Sequence, residues 1–144
     1  MRIYLDNCCF NRPFDDQSQI RILIETEAKL RIQEKIRDGM FKLVWSYILD
    51  YENSKNPFED RKLQINGWKK YAVTDIQENS EIIEKADFLN LNGFKKLDSL
   101  HIACSIISKS DYFLTTDDKI LNLSNKVKEI KLFDPIGFIK EVLS

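Results

Sequence analysis

Four carboxylates stand at positions that a parallel α/β sheet would bring together. Asp6 directly follows a short apolar run, Arg2 to Leu5, and Asp117, with Asp118 beside it, follows another, Tyr112 to Thr115. Glu52 ends a helical stretch that begins at Ser46, directly after a third run, Phe41 to Trp45, and Asp98 opens the helical stretch Leu97 to Ser108. Each has an ordinary explanation when taken alone. A carboxylate after a strand caps the next helix, and one in a first helical turn gains about 0.3 to 1 kcal/mol from the macrodipole. Asp98, however, lies beside Leu97 and near Ile102, on a face expected to pack. Converged in one cleft, the four would repel strongly at low dielectric unless a cation were present. Hard oxygen donors suit magnesium or manganese, ions that activate water, orient a phosphodiester and stabilise charge on a leaving oxygen. The reading is phosphodiester hydrolysis, with Asp6, Asp98 and Asp117 holding the ion and Glu52 completing the shell and placing the attacking water.

The elements that must position these side chains follow from periodicity. Besides the three runs above, Glu129 to Phe133 reads as a further short strand. Between them, helical period marks Gln17 to Arg37, Tyr47 to Asn53, Pro57 to Lys70, Ser80 to Leu91, Leu97 to Ser108 and Pro135 to Leu143, with Gly39 and Gly93 at expected C-caps. Strands this far apart need crossover connections, which predicts one three-layer α/β/α domain over 1–144 with a mostly parallel sheet of 4–5 strands. In such sheets the functional crevice lies at the carboxyl ends of the strands, where Asp6 and Asp117 emerge.

At these positions the chain resembles the PIN-domain family, which includes the VapC-like ribonuclease toxins of bacterial toxin–antitoxin pairs. The resemblance spans nearly the whole chain. It rests on Ile3-Tyr4-Leu5-Asp6-Asn7, on Ser46-Tyr47-Ile48-Leu49-Asp50-Tyr51-Glu52, on Leu97-Asp98-Ser99-Leu100-His101-Ile102-Ala103 and on Phe113-Leu114-Thr115-Thr116-Asp117. It implies magnesium-dependent endonucleolytic cleavage of RNA with Asp6, Glu52, Asp98 and Asp117 in the acidic places. Thr115 and Asn7 become polar neighbours that orient the carboxylates or the water at the ion, and Asp118 is the alternative to Asp117. It also implies a homodimer and a cognate antitoxin partner. Two departures stand out. Cys8-Cys9 follows the first Asp, where the family more often has a small hydroxyl residue or an aliphatic. Asn11-Arg12-Pro13-Phe14-Asp15-Asp16 suggests a distinctive loop, with Arg12 within reach of phosphate or simply solvated.

Composition bounds the other readings. The chain has 144 residues, 43% hydrophobic and 31% charged, a normal size for one core that needs no disulfide. Its three cysteines, Cys8, Cys9 and Cys104, are an odd set with an adjacent pair, which points to a reducing compartment, and the cytoplasm is the expected location. The start of the chain meets a carboxylate at its sixth residue, and no run approaches a membrane span. With a formal net charge of −1, nucleic-acid binding must come from local basic groups such as Arg61 and Lys62, Lys69 and Lys70, Lys95 and Lys96, or the Lys126, Lys128, Lys131 series. His101 is the one histidine and reads as a hydrogen-bonded core residue near the site, and four glycines leave no phosphate-binding loop. Two other classes stay open: a PIN-like domain that binds RNA or protein without cutting, and an aspartyl-phosphate phosphotransfer domain using Asp6 alone.

Overall fold

The computed structural model describes residues 1–143. Five short strands form one sheet: β1 (Arg2–Leu5), β2 (Lys42–Ser46), β3 (Ala72–Ile76), β4 (Tyr112–Leu114) and β5 (Lys131–Phe133). Their order is β3-β2-β1-β4-β5 and every pairing is parallel. Ile3, Tyr4 and Leu5 of β1 and Phe113 and Leu114 of β4 are fully buried, as expected of central strands covered on both faces.

The connections are helical: α1 (Asn7–Asn11), α2 (Ile20–Arg37), α3 (Tyr47–Ser54), α4 (Glu59–Asn66), α5 (Ser80–Leu91), α6 (Lys96–Ile107), α7 (Asp118–Leu121) and the closing α8 (Pro135–Val142). The chain steps from β1 outward to β2 and β3, then returns across the sheet through α5 and α6 to β4 and β5. Right-handed crossovers in opposite directions place their helices on opposite faces, giving the expected three layers. In agreement, α2 packs with α8, and α5 with α6. Gly39 and Gly93 have φ of 83° and 108° just past α2 and α5, the left-handed backbone that a helix C-terminus assigns to glycine.

Two local expectations are corrected. β3 was not anticipated: Ala-Val-Thr-Asp-Ile is an edge strand whose burial alternates, so it lacks the apolar run that marks its neighbours. The stretch Pro57 to Lys70 is not one helix, because α4 ends at Asn66 and a 3-10 turn, Gly67–Tyr71, leads into β3. Likewise Asn11 to Asp16 is less a loop than the end of α1 followed by a 3-10 turn, Arg12–Phe14, with Pro13 inside it.

Candidate metal centre

The order of the strands reverses between β1 and β4, and both strands end at the same level, Leu5 paired with Leu114. The next residues carry the polar groups. Asp6 is 6% exposed and caps α1, its Oδ1 accepting the Asn7 backbone N–H at 2.8 Å. Its Oδ2 accepts the Thr115 hydroxyl at 2.8 Å, and the Cys8 thiol donates to the same oxygen at 3.5 Å. The Thr115 Oγ1 in turn accepts the Asp117 backbone N–H at 3.1 Å, so one buried hydroxyl ties the two strand-end aspartates together. Asp117 caps α7 through the Lys119 N–H. The capping and site readings of Asp6 and Asp117 are therefore compatible.

Glu52 reaches this cluster from α3. His101 Nε2 on α6 donates to Glu52 Oε1 and lies 3.8 Å from Asp6 Oδ1, while the Asn7 amide donates to Glu52 Oε2 at 3.4 Å. Asp6, Glu52 and His101 each offer a ligand atom, all within 4.8 Å of one another, with a geometry open to a metal ion. Behind them runs a buried relay: Ser46 Oγ to Tyr4 hydroxyl at 2.6 Å, and Tyr4 hydroxyl to His101 Nδ1 at 2.6 Å. The Tyr4 ring stacks on Phe113 at 5.4 Å and meets the His101 ring edge-on at 5.7 Å, which fixes the imidazole at the floor of the site. Burial alone would lower the His101 pKa, but the Glu52 hydrogen bond and the charges of Asp6, Glu52 and Asp98 raise it.

Asp98, half-buried in the first turn of α6, has its carboxyl pushed up to about 6 by burial first and then by Asp6, Asp117 and Glu52. The four acids thus share one electrostatic neighbourhood, although Asp98 and Asp117 lie outside the tight group of Asp6, Glu52 and His101. Asn7 Oδ1 is buried without a hydrogen-bond partner, an acceptor left over beside the carboxylates. Asp118 points elsewhere: its carboxylate is exposed and held by the Arg21 guanidinium at 2.7 and 2.8 Å, which lowers its pKa. Arg12 is also engaged, its Nε donating to buried Glu25 at 3.0 Å and its NH1 to Asp15 at 3.1 Å. Of the two expectations for Arg12, simple solvation is the one these contacts replace.

Sequence reasoning placed His101 near the site but not in it, since a lone histidine on an apolar helix shows no partner. The signal was its position three residues after Asp98, one helical turn along the same face. The three cysteines are free thiols and none joins the ligand group among the described residues. Beside Glu52 opens a depression of about 230 Å3 lined by Asn7, Lys55, Phe58 and Arg61.

No protein-family model matches the chain, and no curated protein sequence matches it. Among solved structures, the chain is similar to the crystal structure of VapBC2 from Rickettsia felis bound to a DNA fragment from their promoter. The match covers 92% of this chain and 97% of that one, with a TM-score of 0.57 and 11% sequence identity. The fold is PIN-like. At that identity the likeness concerns architecture, and the case for function rests on the residues of this chain. Among the described residues no helix is long and apolar enough to cross a membrane.

Proposed function

We propose that this chain is a metal-dependent endoribonuclease, the toxin of a toxin–antitoxin pair. The observation that carries the proposal is the cluster at the β1–β4 switch point, where Asp6 and Glu52 converge beside the partnerless Asn7 Oδ1 and where Asp6, Asp117 and Glu52 add to burial in pushing the Asp98 carboxyl up. An oxygen-rich donor set with a spare acceptor fits magnesium or manganese, held by Asp6 and Glu52 with Asp98 and Asp117 completing the shell. Such an ion supplies charge neutralisation and a more acidic water.

The chain's own groups do the rest. Thr115 and the Asn7 backbone fix both oxygens of Asp6, and this double engagement disfavours Asp6 as a phosphate-accepting nucleophile. His101 and the Asn7 amide hold the two oxygens of Glu52, which faces the attacking water. Water adds to phosphorus as the bond to the ribose 3′ oxygen breaks, leaving a 5′-phosphate and a 3′-hydroxyl. Lys55 meets a flanking phosphate in the neighbouring depression, while Arg61, tied to the Phe14 carbonyl and to Asp15, lies over the Phe58 ring, whose 56% exposure leaves area on which an unpaired base stacks. By the same reading the protein works in the cytoplasm, pairs with a second copy and is neutralised by an antitoxin protein. In support, an apolar groove of about 410 Å3 lies open between α3 and α6, lined by Tyr47, Ile48, Tyr51, Leu97 and Leu100.

Cleavage of a structured RNA pool by the wild type and Asp98→Asn, in magnesium, manganese or chelator, is the test. Cutting that needs metal and disappears in the variant is expected. Cutting that survives chelation, or an Asp98→Asn protein as fast as the wild type, would remove this mechanism, and no cutting in any metal would favour a domain that binds without cleaving.

A further inference from the structure

Between α1, α2 and the α4 segment lies a second cavity of about 230 Å3, sharing no residue with the acidic cluster, that the nuclease reading does not use. Its walls are mostly apolar: Phe10, Phe14, Leu30, Ile65 and Trp68. Its polar lining is rich in donors, Lys29, Gln33 and Arg37, with the exposed Gln64 at the rim. Lys29, 3% exposed, places its Nζ 5.2 Å from the Phe10 ring centre and 5.7 Å from that of Trp68, and among the described residues it makes no ion pair and no hydrogen bond. Gln33, one turn along α2 and 3% exposed, buries its amide nitrogen without a partner. Arg37, a further turn along, lies over the outer side of Trp68, 4.9 Å from the ring centre. No acidic residue lines the cavity.

A buried amide N–H with nothing to donate to is costly for a fold because it forfeits its hydration, and an ammonium set in a largely buried side chain, with only the faces of Phe10 and Trp68 beside it, loses most of its own. Burial drives the Lys29 pKa down to about 7, with Arg37 adding to the fall and Cys9 opposing it. Cys9 supplies no counter-charge, because its own burial pushes the thiol pKa well up. A leucine or methionine at position 29 would pack the same space without that cost, so the donors are better explained by an acceptor that enters. Two buried donor groups side by side match the two oxygens of one carboxylate, and the aromatic and aliphatic walls match an apolar body behind it.

We propose that this cavity is a binding site for a monocarboxylate carried on a small apolar group, with Lys29 and Gln33 gripping the carboxylate and Phe10, Phe14 and Trp68 enclosing the body. A free acid and a glutamate side chain of a polypeptide share this chemistry. The site is independent of the metal centre, and its test does not require cleavage.

The test is titration of the full chain at pH 7 with phenylacetate and with its uncharged analogue phenylacetamide. Binding is followed by tryptophan fluorescence and by the chemical shifts of the Lys29 side chain. A saturable response to phenylacetate is expected, with the amide weaker by about tenfold or more and the Lys29 ammonium held protonated to higher pH by the acid alone. Lys29→Met, close to lysine in volume, should bind acid and amide alike, and Gln33→Leu, which keeps Lys29, should weaken the acid several-fold. A capped Glu-Phe dipeptide binding more tightly than phenylacetate would assign the carboxylate to a polypeptide, and the reverse order to a free acid. The absence of a saturable response, equal affinity of the wild type for acid and amide, or an undiminished preference for the acid in both variants would overturn the proposal.

Discussion

Thr115 does the most with the least. It is fully buried, and its single hydroxyl donates to Asp6 while accepting the Asp117 N–H, so it sets the spacing of two acids carried by different strands. Thr115→Val keeps the shape and removes both bonds. The Asp6 Oδ2 would then retain only the weak Cys8 thiol as donor, and the Asp117 N–H would lose its acceptor. We expect a loss of about 1–3 kcal/mol in urea denaturation together with slower cleavage, and Thr115→Ser should recover most of both because it restores the hydroxyl. A serine variant as impaired as the valine one would show that the methyl group, not the hydroxyl, matters. Asp6 was legible in the sequence because it follows an apolar strand at once, whereas Thr115 was read as the end of the run Tyr112 to Thr115 and entered the site only through the family resemblance. His101 was only half legible. Its place in the chain is readable, but its role depends on Tyr4 below and Glu52 above, two residues from other elements that no spacing rule connects to it.

At the scale of elements, α2 shows how a helix accommodates a residue its packing would reject. Lys29 has a folded pKa lowered to about 7 from the usual 10.5, and the sign of the linkage follows. Below about pH 7 the lysine is charged whether the chain is folded or not, and the full cost of burying the charge is borne by the fold. Between about 7 and 10 the unfolded chain holds a proton that the folded chain has lost, so this residue's contribution to stability improves as pH rises, by at most about 1.4 kcal/mol per unit. Lys29→Met should therefore be more stable than the wild type at pH 6, with the gap shrinking steadily by pH 9, as read from urea melts at each pH. A gap that stays constant would mean that Lys29 reaches solvent and is charged throughout. The elements themselves were legible where the pattern was strong: β1, α5, α6 and α8 fall within a residue or two of expectation. β3 and α1 were not, and for different reasons. An edge strand such as β3 is held by pairing with β2, a partner remote in sequence. The five residues of α1 are too few to show a period, and their helix starts because Asp6 caps it.

For the molecule as a whole, the order of strands explains both where the acids gather and what their gathering costs. The reversal at β1 and β4 brings together acids from the first strand, the second crossover, the third crossover and the fourth strand's exit, so the site exists only when the entire sheet is assembled. The parallel sheet and the crevice at its carboxyl edge could be inferred from strand spacing alone, while the position of Glu52 at the end of α3 needed the packing of α3 beside α6. Bringing those charges together without a counterion opposes folding, because Asp98 is partly desolvated and faces Asp6, Asp117 and Glu52. Neutralising Asp98 should then act in opposite directions on stability and on metal binding. In chelator, Asp98→Asn is expected to melt a few degrees above the wild type. Added magnesium should raise the wild-type melting temperature, since an ion that binds only the folded state at about a hundred times its dissociation constant contributes roughly 2.7 kcal/mol. The variant, with a weakened shell, should gain far less, so the order of the two proteins should reverse as magnesium is added. Calorimetry of both proteins across a magnesium series reads this directly. A variant that melts below the wild type in chelator would mean that the acids are not in mutual repulsion, and equal gains from magnesium would place the ion away from Asp98.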